Sequence, residues 1–164
     1  MAKYSLGWTT VTPTAVANTT NFTDSGYPTF LQGGNTTMRL SVSEVYIGGE
    51  EASASNPTTM KLARDSTVAA TGISGNTNAL LDGSGTAPGT IAVFGNVSTT
   101  KPQRSATLQL LNLAFNAYGG IVRWVAAPGS EISVVGNTAS LGEISLSSIT
   151  GTGKSSGHII YEVV

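Results

Sequence analysis

The sequence predicts an all-β domain, an antiparallel two-sheet sandwich of jelly-roll type with an extended N-terminal arm. Three observations carry that expectation. Only 10% of the 164 residues are charged, against about a quarter in an ordinary globular domain. Twenty glycines and an abundance of Ser, Thr and Asn fill the difference, and such hydroxyl-rich, turn-rich chains favour strands joined by loops over helices. Short Val/Ile/Leu runs recur between the turn formers with apolar residues on both parities, as two packed sheets require.

Residues 1–37 read as an arm and 38–164 as the sandwich. The arm is Thr-, Asn-, Gly- and Pro-rich, with sparse large side chains at Tyr4, Leu6, Trp8, Phe22, Tyr27, Phe30 and Leu31. Only Tyr4–Val11 alternates as a strand does. A segment of this length without firm structure is expected to lie along its own body or a neighbour. Anchoring of Tyr4, Leu6 and Trp8 on an adjacent subunit is the specific interface it suggests.

The body opens with Met38–Ile47, where Leu40 and Val42 share one parity and Val45 and Ile47 the other. A phase slip near Ser43–Glu44 is the mark of a β-bulge, or of a strand apolar on both faces. Thr58–Asp65 is a shorter strand with Met60 and Leu62 inward and Lys61 outward. Residues 66–89 read as a long surface excursion with an apolar knot at Ala79–Leu81, and Gly89–Phe94 as a short strand. Ser105–Phe115 fits a helical stripe (Leu108, Leu111, Phe115) and also a strand face (Leu111, Leu113, Phe115). The strand is preferred because its neighbours are strands and Asn116–Gly120 looks like a connection to the next one.

Ile121–Ala127 is the most β-prone run, and Trp124 within it reads as a buried tryptophan. Ala127-Pro128-Gly129-Ser130 is a turn, proline fixing φ and glycine permitting a positive one. Glu131–Val135, Leu141–Ile149 (with Ile144 and Leu146 on one face) and Ser156–Val164 complete about eight strands of a sandwich. A last strand that runs to the final residue predicts that removal of Tyr161–Val164 destabilises the domain.

Composition also narrows function. Eight Lys and Arg against nine Asp and Glu leave a net charge of −1, with no basic tract for a phosphate backbone, so nucleic acid is not an expected partner. No run approaches membrane-spanning length and the N-terminus lacks an apolar leader, so synthesis in a cytoplasm is expected. The Asn-x-Thr/Ser triplets at Asn18, Asn21, Asn35 and Asn96 then carry little weight as glycosylation sites. There is no cysteine and a single histidine, His158, so neither a zinc set nor a nucleophile–histidine arrangement is expected.

The acids are dispersed, and Asp82-Gly-Ser-Gly85 reads as a turn rather than a cation loop. A carboxylate pair assembled in space is the one hydrolase arrangement left open. Gly33–Gly34, Gly48–Gly49 and Gly119–Gly120 lack the helix and Lys-Ser/Thr of an anion loop and read as turns. Lys101-Pro-Gln-Arg104 is a short basic loop that would suit an acidic partner. No catalytic, cofactor-binding or metal-binding residue is assigned, and no enzyme or cofactor is expected.

Three segments carry a resemblance: Leu113-Ala-Phe-Asn-Ala-Tyr-Gly-Gly-Ile-Val-Arg-Trp-Val-Ala-Ala-Pro-Gly129, Leu141-Gly-Glu-Ile-Ser-Leu146 and Gly157-His-Ile-Ile-Tyr-Glu162. With their paired glycines between strands, Ala-Pro-Gly hairpin and C-terminal strand, they resemble the accessory capsid proteins of tailed bacteriophages, the cement or decoration proteins. The resemblance transfers no functional residue. It implies a β-rich structural protein on the capsid exterior that binds across neighbouring major capsid subunits, a homo-oligomer with a trimer favoured. The alternative expectation is a head-fibre or tail-associated β domain that binds a host-surface glycan through exposed aromatics.

Overall fold

Residues 2–18, 20–22, 29–33, 39–67, 78–83, 93–94, 101–136 and 142–164 are described by the structure, a computed structural model. Among them lie eleven strands: β1 (Lys3–Val11), β2 (Thr29–Gln32), β3 (Arg39–Gly49), β4 (Pro57–Thr67), β5 (Asn78–Leu80), β6 (Val93–Phe94), β7 (Gln103–Asn116), β8 (Ile121–Val125), β9 (Ile132–Val135), β10 (Glu143–Thr150) and β11 (Ser155–Val163). They form two sheets facing each other as a sandwich. The first runs β5-β1-β11-β3-β8 with β9 also on β3, and the second runs β6-β2-β10-β4-β7. All the ladders are antiparallel.

Alternation along each strand supplies the core. Leu6, Leu40, Val42, Val45, Ile47, Ile159 and Tyr161 of the first sheet meet Leu31, Met60, Leu62, Ile144, Leu146 and Leu113 of the second. Burial of such side chains stabilises by about 1.5–3 kcal/mol each. The phase slip in β3 is a bulge. Val42 pairs with Tyr161 and Glu44 with Ile160, so Ser43 is the extra residue, and all four apolar residues of β3 point into the core.

Ser105–Phe115 is a strand, as preferred, though an interrupted one. Ala63 pairs with Gln109 and Asp65 with Arg104, leaving Arg104–Gln109 longer than the segment it faces. The Ser105 hydroxyl accepts the N–H groups of Thr107 and Leu108 at 3.3 and 3.2 Å. That local turn throws Leu108 outward. The Ala127–Ser130 turn also forms, with Ser130 N–H donating to Ala127 C=O at 2.9 Å and Gly129 at φ +83°. Of the expected strand Gly89–Phe94, only Val93–Phe94 falls among the described residues, and most of the 66–89 excursion lies outside them.

Two expectations are corrected. Tyr4, Leu6 and Trp8 do not stand out toward a neighbour; they are buried in the chain's own core. The reason is that β1 finds a full-length partner in β11, which brings the Tyr4 ring over Tyr161 at 5.5 Å. Burial, with Tyr4 beside it, pushes the Tyr161 phenol well above its usual range, and its hydroxyl donates to Asn78 at 2.8 Å. Trp124 is only half-buried, because β8 is an edge strand and not a central one.

After β1 the chain crosses to the second sheet and straps its outer face. Val16 N–H donates to Ser148 C=O at 3.0 Å and Phe22 N–H to Pro102 C=O at 3.0 Å, with both side chains buried. Beneath this strap β10 is buried on both faces, Ile144 and Leu146 inward and Glu143, Ser145 and Ser147 outward. Arg104 closes the layer, fully buried. Its guanidinium donates to Val16 C=O, to the Ser147 hydroxyl and, at 2.9 Å, to Asn18 Oδ1, and it lies over the Phe22 ring. Of the basic loop Lys101–Arg104, Arg104 is thus turned inward, toward acids of the chain itself.

Those acids are Asp65 and Glu143, both fully buried. Burial holds the Asp65 carboxyl well above its ordinary value, and the adjacent Glu143 carboxyl adds to the effect. The Ser145 hydroxyl, donating at 2.5 Å, and the Arg104 charge oppose it. Spatial pairing of two carboxyls, left open by the sequence, is realised here under the strap.

Two outcomes follow from this layer. Arg104→Ala leaves buried carboxyls without their cation and should cost about 3–5 kcal/mol in urea unfolding. Because the folded state raises Asp65, its contribution is complete below the unfolded value near 3.9 and is lost as pH rises through the folded one. The urea midpoint should therefore fall as pH is raised above about 4, and fall less in Asp65→Asn.

Candidate functional site

The second sheet's outer face is partly closed by the strap, whereas the outer face of the first sheet carries a connected set of side chains on β8, β3 and β11. The register places Tyr46 opposite both Arg123 and His158, and Glu44 opposite Val125 and Ile160. Arg123 grips Glu44 with two hydrogen bonds, Nε to Oε1 at 2.9 Å and Nη2 to Oε2 at 2.8 Å. His158 Nε2 sits 3.2 Å from the same Oε1. The Arg123 hydrogen bonds hold the Glu44 carboxyl below its usual range, with His158 adding to them against the cost of burial. Tyr46 and His158 stack with ring centroids 5.2 Å apart and planes 12° from parallel.

Toward the end of the sheet this row opens into a groove of about 470 Å³, within the range of small-molecule sites. Its open rings are Tyr46 and His158, with the buried Trp8 beneath its end; its polar groups come from Thr9, Glu50 and Ser156, and Ile121 closes one side. Gly48, Gly49, Gly119 and Gly157 leave backbone exposed between them. The rim is held by a bulge between Trp8 and Val11. There Thr10 adopts φ +52°, a left-handed conformation rare for a β-branched residue. Thr10 N–H donates to Ser156 Oγ at 3.0 Å, and that hydroxyl donates in turn to Glu50. Trp8 packs over Gly157, and its indole N–H is buried with no hydrogen-bond partner.

Beside the groove the β7–β8 hairpin presents an apolar strip. Tyr118, Ile121 and Val125 are 56%, 66% and 55% exposed, and β8 has no further strand on its outer side among the described residues. Arg123, the strand's one charge, is already neutralised by Glu44. Natural edge strands are commonly blunted by free charges, prolines or coverage. This one is bare.

His158 lies in mid-strand on β11, within a Glu44–Arg123–Tyr46 cluster. Sequence reasoning missed that cluster because its members lie far apart in the chain. The available signal was parity: Glu44, Tyr46, His158 and Arg123 each alternate with apolar residues. No group of three or more His, Asp or Glu side chains able to hold a metal occurs among the described residues, and no helix there is long and apolar enough to cross a membrane. Comparison with protein-family models, with curated proteins and with solved structures returned no match.

The packing of Trp8 on Gly157 gives a direct check. A Cβ at Gly157 would lie 2.1 Å from the Tyr46 carbonyl oxygen and 2.5 Å from the Trp8 ring, whereas one at Gly7 meets nothing closer than 3.7 Å. Gly157→Ala should cost about 1–3 kcal/mol in thermal or urea unfolding, and Gly7→Ala should be tolerated.

Proposed function

We propose that the chain is a non-enzymatic structural protein of a virus particle. In this reading it is a capsid cement, or decoration, protein on the capsid exterior that binds across neighbouring major capsid subunits and stabilises the shell. The observation that carries the reading is the bare apolar strip Tyr118–Ile121–Val125 along the free edge of the first sheet. An exposed apolar run on a strand edge is a template for association. The strip falls inside Leu113–Gly129, one of the three segments that resemble cement proteins.

We further infer that the sandwich is a jelly roll. Setting β5, β6 and β9 aside, eight strands remain. The first pairs with the last (β1·β11), the second with the seventh (β2·β10), the third with the sixth (β3·β8) and the fourth with the fifth (β4·β7). That is the pairing of one long hairpin rolled into two sheets, an architecture used in capsid and lectin domains. The ion pair Arg123–Glu44 leaves this edge neutral, and a net charge of −1 gives copies crowded on a shell little reason to repel. The protein works as a homo-oligomer, a trimer in this reading, made in the host cytoplasm and carried in the virion.

Quantitative mass spectrometry of purified particles should find the chain at a simple ratio to the major capsid protein; its absence from particles would overturn the assignment. The double variant Ile121→Lys, Val125→Lys should lower binding to expanded shells by at least about ten-fold with the melting temperature retained. Undiminished binding would remove the β8 edge from the mechanism.

A further inference from the structure

We propose that the groove at the end of the first sheet receives the side chain of an arginine carried on an extended segment of the partner that meets this face. It rests on the reading of that face as the one that meets the shell, and it specifies the group that a shell subunit inserts there. The outer face of the sheet has a notch where the register sets Gly48 between Ile121 on β8 and Ser156 on β11. A Cβ at Gly48 would lie 3.4 Å from the Tyr46 hydroxyl oxygen, so the Tyr46 ring leans over the notch as one wall. His158 backs that ring with a centroid distance of 5.2 Å. Ile121 is an apolar flank open to solvent, and the exposed Glu50 lies just beyond Gly48 and Gly49 at the end of the groove.

Charge and shape select the occupant. No lysine or arginine is among the described residues that line the groove. Arg123 and His158 both face Glu44, whereas Glu50 has no ion-pair partner among the described residues. The groove thus presents an uncompensated carboxylate, to which a cation is the complement. That carboxylate is held in place: the Ser156 hydroxyl donates to it and itself accepts the Thr10 N–H at 3.0 Å. A group fixed beforehand loses less freedom on binding. An arginine fits each part. Its methylene stem covers Ile121 as such stems cover apolar surface, and its planar guanidinium packs against the aromatic wall. Its fork of N–H donors meets Glu50 and the Tyr46 and Thr9 hydroxyls. A lysine ammonium has the charge without the plane. Ile121 belongs both to the groove and to the apolar strip of β8, so a segment lying along that edge passes the mouth of the groove.

The test uses the full chain alone with short blocked peptides, so its failure and a failure of the capsid assignment are read separately. A ¹H–¹⁵N spectrum is followed during titration with N-acetyl-Gly-Arg-Gly amide, and with the same peptide carrying lysine or citrulline, the neutral isostere, in place of arginine. The backbone amides of Gly48, Gly49, Glu50 and Ser156 should move saturably with the arginine peptide, at about millimolar affinity. The citrulline and lysine peptides should bind at least about three-fold more weakly. Glu50→Gln, which keeps an acceptor for Ser156, should erase the preference for arginine over citrulline. The comparison of peptides needs no variant, so it stands even where a substitution disturbs the fold. No saturable movement, citrulline or lysine bound as tightly as arginine, or a preference retained in Glu50→Gln overturns the proposal.

Discussion

The buried guanidinium of Arg104 is the point through which the two ends of this architecture communicate. It joins three layers of chain: β7, which carries it; β10, through Ser147; and the N-terminal strap, through Val16 and Asn18. A guanidinium taken fully from water is tolerated only when its donors are met and its charge is balanced. The donors are met by the strap and by Ser147, and Asp65 supplies the opposing charge. Burial and the neighbouring Glu143 raise the Asp65 carboxyl, while the Arg104 charge and the Ser145 hydroxyl pull it back. Guanidinium, carboxyls and strap thus form one buried unit.

That unit explains why β10 has no solvent face. Its inward residues Ile144 and Leu146 belong to the sandwich core, and its outward residues would normally be wet. Instead the strap covers them, and the sequence of the strand answers with small hydroxyls, Ser145 and Ser147, which fit under a close-packed chain and offer hydrogen bonds to the charged layer. Since β1 sits in the first sheet and the strap lies on the second, the N-terminal segment ties the sheets together, β1 through the core and the strap from outside it. Their hold does not depend on apolar contact alone, which matters in a domain with no disulfide.

Much of the fold was legible because it follows from parity. The slip between Val42 and Val45 could be read as a bulge, and Ser43 is that bulge. The strand at Ser105–Phe115 could be preferred over a helix on the company it kept. What the pattern could not carry is which strands become edges: Ile121–Val125 has the strongest β-propensity in the chain yet lies at a margin, because propensity records fit to a pleated surface and not position in a sheet. Nor could composition tell that a Thr/Asn-rich terminus would pack on its own body, since Tyr4, Leu6 and Trp8 would suit either a core or a partner. Arg104 was misread for a related reason. Its neighbours Lys101, Pro102 and Gln103 look like a surface loop, and the carboxyls that bury it are 39 residues away in either direction.

The same asymmetry locates function. A sandwich has two outer faces, and here the chain spends its own N-terminus on one of them. Over the strap, the buried charge is closed to any partner, so that face contributes stability. The first sheet keeps its face open and arranges it differently: the one strong ion pair, Arg123–Glu44, lies flat and satisfied between β8 and β3, leaving the edge beyond it apolar and the groove beside it lined by Tyr46 and His158. Surface pairs of this kind add little stability. What this one does is remove free charge from the outer face of the first sheet, and the association we propose lies on that face, the one the N-terminal strap does not cover.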